Sequence, residues 1–119
     1  MDTKLKTALE QSDYMRTFQN QKHLLKEKFK KDCIVYYNGG MFVIDLNFIK
    51  SIENPVTDIV IDVNHIPVKI NNMQDFYETL VAKFKFATES YYDAYVELCK
   101  YKDAKGLLTW MVFYFLQYK

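Results

Sequence analysis

Glycine, proline, cysteine, histidine and arginine are all scarce in this chain, and each scarcity closes a route to function. Three glycines, Gly39, Gly40 and Gly106, cannot supply a G-x-G-x-x-G or Walker-type loop, which cradles phosphate on backbone N–H groups. Two cysteines, Cys33 and Cys99, form neither a C-x-x-C pair nor a secretory spacing pattern. They read as free thiols in a reducing cytoplasm, the host's if the chain is viral. Two histidines leave no H-E-x-x-H, and there is no G-x-S-x-G nucleophile elbow. Arg16 stands alone against fifteen lysines, and arginine does most base reading and bidentate phosphate clamping. Neither sign of charge dominates, the formal net charge being +1, so whole-molecule attraction to nucleic acid or anionic membrane is weak.

Long apolar runs are also missing. The N-terminus has no apolar stretch that could serve as a signal peptide. The longest run, Leu107 to Leu116, spans about 15 Å as a helix, half of the roughly 30 Å hydrocarbon core of a bilayer. It is too short for a membrane span.

What the chain has in quantity is aromatic: ten Tyr and nine Phe among 119 residues, with half of all residues hydrophobic. That length implies a single domain with one core of large rings. The preference for Lys over Arg, with abundant Asn, Ile, Tyr and Phe, fits AT-rich coding DNA such as that of a phage or another mobile element.

Residues 1–31 contain neither Gly nor Pro and read as helix. Leu5, Ala8, Leu9, Met15, Phe18, Leu25 and Phe29 form a narrow apolar face, with gaps near Ser12 and Lys22 that leave room for a kink or a break near Gln11–Asp13. Residues 33–70 read as two consecutive hairpins. Gly39-Gly40 is the first turn, pairing Tyr37 with Phe42, Val35 with Ile44 and Cys33 with Leu46. In the second, a turn at Asn64-His65 puts Ile59, Ile61, Val63, Ile66, Val68 and Ile70 on one face. Asp58, Val60, Asp62, Pro67 and Lys69 fall on the other, and Pro67 marks an edge strand.

Asn72 N-caps a long helix over 72–105, whose seam Tyr77, Leu80, Phe84, Ala87, Tyr91, Ala94, Leu98, Tyr101 alternates steps of three and four. Gly106 reads as its C-terminal stop. The closing run, 107–118, has no diagnostic period; its Trp, Val, Phe, Tyr and Thr favour a strand, with a short helix as the alternative. The fold class is therefore α+β: an N-terminal helix, two antiparallel β-hairpins, a long helix packed on the sheet, and an apolar strand or short helix at the end. The long helix is expected to lie across Val35, Tyr37, Ile44, Leu46, Ile59, Ile61, Val68 and Ile70.

No catalytic, cofactor-binding or metal-binding constellation emerges. His65 sits at a turn and His23 on a solvated helix face. Asp58 and Asp62, about 13 Å apart along a strand, cannot share a metal ion and read as solvated carboxylates. Both thiols lie on apolar faces and read as inert. What remains is surface. A helix of about 45 Å outreaches strands of about 20 Å, leaving seam for another molecule to cover. The function expected is that of a small non-enzymatic interaction protein: a regulator, inhibitor or assembly factor, with a protein partner and a homodimeric state. Tyr91, Tyr95, Leu98, Trp110, Phe113 and Phe115 are its candidate interface residues. The alternative is backbone-directed nucleic-acid binding through the basic stripe Lys22, Lys26 and Lys30, with Lys28 and Lys31 beside it. An enzyme with an unfamiliar site is the third reading.

Overall fold

The computed structural model describes residues 3–117, apart from the side chains of Phe113, Phe115 and Gln117. The architecture is α+β, in the order α1 (Thr3–Asp32), β1 (Ile34–Tyr37), β2 (Gly40–Val43), α2 (Leu46–Glu53), β3 (Ile59–Ile61), β4 (Pro67–Lys69), α3 (Met73–Leu98) and α4 (Ala104–Gln117). The two hairpins form separate two-stranded sheets. The chain divides into two compact units, one of Lys28–Ser90 and one of Met1–Glu27 with Tyr91–Lys119.

In the unit Lys28–Ser90, β1 pairs antiparallel with β2 through Val35–Phe42 and Tyr37–Gly40. The turn is Asn38-Gly39, not Gly39-Gly40. Both turn residues take positive φ, 49° and 82°, as the hairpin turn that follows strand twist requires. Gly40 lies in the strand for a different reason: a Cβ there would stand 2.7 Å from Val68 Cγ2. The shift moves every pair by two residues, so Cys33, Val35, Phe42 and Ile44 still share the buried face. Leu46 leaves it, because Asp45 caps α2 by accepting the Phe48 N–H at 2.7 Å. That cap turns a stretch expected as strand into helix, and Phe48, Ile49 and Ile52 face the core.

The second hairpin departs further from expectation. Val60 pairs with Val68 and Ile61 with Pro67, a one-residue slip that reverses the faces of β3 and leaves Val68 and Ile70 on the buried side of β4. Val68 and Ile70 are buried with Val60 half-buried, whereas Ile59, Ile61, Val63 and Ile66 are exposed. Asp62 is the cause. It is 6% exposed, not solvated, and its carboxylate accepts backbone N–H groups from Met41 at 3.0 Å, Asn64 at 2.9 Å and Ile66 at 2.9 Å. His65 takes φ 62° and its N–H bonds Asp62 O at 3.1 Å, so the turn holds three residues, Val63 to His65, and ends in a left-handed one.

Asn72 caps α3 as expected, accepting the Asp75 N–H at 3.0 Å. Phe76, outside the expected seam, is fully buried among Tyr37, Phe42 and Phe48, with ring centroids 4.7, 5.2 and 6.3 Å away. Val35, Ile44, Ile52, Val68, Ile70 and Leu80 complete this core, without Leu46, Ile59 or Ile61.

The other unit is helical. The helix α1 is unbroken through Gln11–Asp13, and Leu5, Leu9 and Met15 of its expected apolar face are exposed. The helix α3 closes at Leu98 rather than near 105. Gly106 does not stop it: the residue lies in the first turn of α4, donating its N–H to Asp103 Oδ1 at 2.7 Å. The C-terminal run is thus the helix of the two forms considered. Leu25, Ala94, Leu98, Leu107, Met111 and Tyr114 form the core, with Tyr14, Phe18, Tyr91, Tyr101 and Trp110 packed around it. The Tyr14 hydroxyl donates to the Tyr101 carbonyl at 3.1 Å.

Candidate protein-interaction surfaces

The first surface is the outer face of β3–β4. Because Asp62 faces inward, the alternate positions Ile59, Ile61 and Val63 point away from the core, joined by Ile66, and Ile61 is 63% exposed. Each strand has three residues, so this face rests on the anchors to β2: Met41 N–H to Asp62, and Val63 N–H to the Met41 carbonyl at 3.0 Å. Asn38 adds a bond from its amide to the Lys69 carbonyl at 3.2 Å. The three amides hold the Asp62 carboxyl below the usual carboxylate range, the Met41 bond being the strongest cause.

The second surface is a groove of about 420 Å³ in the helical unit, lined by Thr17, Asn20, Gln21 and Leu24 of α1 and by Leu108, Met111 and Val112 of α4. Beside it Leu108, Val112 and Leu116 form a ridge at four-residue spacing, 57%, 60% and 62% exposed. Gln21 is 3% exposed, and among the described residues neither its Nε2 nor its Oε1 has a hydrogen-bond partner. A sequence signal for this face existed: a helix apolar on every side needs cover on every side.

The expected interface residues divide. Leu98 is fully buried in the unit's own core, Tyr91 is half-buried against it, and Trp110 sits between Tyr101 and Tyr114 at 6.0 and 5.3 Å. Tyr95 is exposed, and the adjacent Cys99 sulfur raises the pKa of its hydroxyl. The side chains of Phe113 and Phe115 lie outside the described residues. In the basic stripe, Lys22, Lys26, Lys30 and Lys31 are exposed along α1, while Lys28 turns to Asp32 at 2.7 Å.

Chemistry has less to work with. His23 lies 3.9 Å from Glu27 on an exposed face, and His65 is exposed at its turn. Burial, followed by the charge of Asp32, pushes the Cys33 thiol up. A second concavity of about 340 Å³ includes Glu53 and Tyr77, but its lining has no histidine, cysteine or lysine. Among the described residues no group of three or more His, Cys, Asp or Glu could hold a metal ion. No helix among them is long and apolar enough to cross a membrane. Comparison with known protein families, curated proteins and solved structures finds no match to this chain.

Proposed function

We propose that this chain acts by binding another protein through apolar surface, as a small non-enzymatic regulator, inhibitor or assembly factor. The observation that carries this reading is the outward face of β3–β4, where Ile59, Ile61, Val63 and Ile66 stand exposed together while a carboxylate occupies the inward side. Clustered exposed aliphatics mark docking surfaces on folded domains. Free cysteines at Cys33 and Cys99 support a cytoplasmic setting, and the lysine-rich composition supports a phage or mobile-element origin.

The test is capture of tagged protein from its native host, with and without nuclease, using the wild type and an Ile59→Lys/Ile61→Lys variant. A stoichiometric protein that survives nuclease and is lost with the variant is the expected outcome. Retention of that protein by the variant removes the hairpin face from the proposal. The exposed row Lys22, Lys26 and Lys30 favours a second reading, nucleic-acid binding through the phosphate backbone. That reading requires captured material that vanishes with nuclease, and a salt-sensitive gel shift abolished when all three lysines become Glu.

A further inference from the structure

The helix α4 has apolar residues on both sides, and its own unit covers one of them. Leu107, Met111 and Tyr114 are buried. Leu108, Val112 and Leu116 form the exposed ridge, and the only charged residue of the helix is Lys105. A helix that is hydrophobic all round is normally enclosed. We propose that a second copy of this chain supplies the missing cover, with the α4 ridge of each copy seated in the α1–α4 groove of the other.

Three features select a second copy. Ridge and groove lie on one surface, since Leu108 and Val112 belong to both. A patch carrying both a projection and the depression that receives it is self-complementary, as a two-fold interface requires. Charge is matched as well: among the described residues the groove lining contains no ionisable group, so an identical face meets it without stripping water from a charge. At a formal net charge of +1, two copies repel only weakly at long range.

The third feature is Gln21. Among the described residues its amide has no partner for either donor or acceptor, and a buried amide in that state is strongly disfavoured. An acyl chain offers it nothing. The same residue of a second copy, across a two-fold axis, offers one donor and one acceptor once the side chains rotate into the groove. Paired amides fix register in this way at coiled-coil seams.

Sedimentation equilibrium of the full chain, from one to one hundred micromolar, is the direct test. The expected mass is twice 14.2 kDa, and Leu108→Glu should weaken association at least tenfold with an unchanged far-ultraviolet spectrum. Because Leu108 is largely exposed, that change leaves the core of the unit intact. A Cys99→Ser/Val112→Cys variant provides the second arm. Facing α4 helices bring residue 112 near its own copy, so mild oxidation should give a reducible dimer on a gel. A monomeric mass throughout overturns the proposal. So does a dimer indifferent to Leu108→Glu, or a monomer that instead binds phosphatidylcholine vesicles through Leu108. The hairpin face is not involved, so either proposal can fail without the other.

Discussion

Replacing Gln21 with Leu should stabilise the protein, although the wild-type side chain is among its most buried. Gln21 is 3% exposed, and both polar atoms of its amide are sealed from water without partners among the described residues. On mutational scales an uncompensated buried amide costs about 1–3 kcal/mol. Leucine removes that cost and adds apolar contact, so a gain of about 2 kcal/mol is expected. A chain of 119 residues unfolds with an entropy near 0.25 kcal/mol per degree, which converts the gain to a rise of about 8 °C in Tm. Trp110 is the chain's single tryptophan and packs beside Tyr114 at 5.3 Å in the same unit, so its fluorescence reports the relevant melt. The gain should be full at dilutions where copies separate. It should shrink at high concentration, where a second copy satisfies the amide. An unchanged or lowered Tm in dilute solution would refute the reasoning, because it would mean that the amide already has a partner.

Three further outcomes follow from the geometry. The folded pKa of Asp62 lies below its ordinary value of about 3.9, so its contribution to stability is present above that pH and lost as pH falls through the folded value. Asp62→Asn, which turns an NH₂ toward one of the three backbone amides, should lower Tm at neutral pH and flatten the acid limb of a denaturation profile. At the first turn, Gly39→Ala should cost about 1 kcal/mol for its positive φ, whereas Gly40→Ala should cost about 1–3 kcal/mol through overpacking against Val68. Adding Val68→Ala in chemical-denaturation cycles should reduce only the second cost, so full additivity at Gly40 would contradict the contact. A thiol reagent should label exposed Cys99 at once and Cys33 only as the fold opens, since Cys33 is buried with a raised pKa; two equivalents reacting together would be inconsistent with that burial.

The sequence shows its elements better than their registers. Periodicity reveals the seam of α3, and Asn72 announces its start, because both signals are local. The first hairpin keeps its expected faces despite the wrong turn, since a two-residue shift preserves alternation. The second does not, because its register depends on Asp62 meeting Met41 N–H, twenty-one residues away in sequence. Six alternating aliphatics gave no hint of that contact. Asp45 and Asp103 were readable caps for α2 and α4, but β-branched and aromatic content pulled both stretches toward strand. The groove has no local signal beyond the composition of α4, a helix with too few polar residues for one covered side. Gln21 carried no signal at all, since a glutamine amid exposed lysines looks solvated.

The inward carboxylate of Asp62 also bears on how a loss-of-binding screen would read. The four aliphatics of the outer face are displayed because that side chain occupies the other side of the ribbon. A random library selected for failure to bind would return Asp62 alongside Ile59 and Ile61, although no partner on that face could touch it. Its hits would map a contact surface and, one residue out of phase, the phase-setter behind it. Sorting them by protease sensitivity separates the two, because contact mutants stay folded whereas Asp62 mutants lose the strand phase itself.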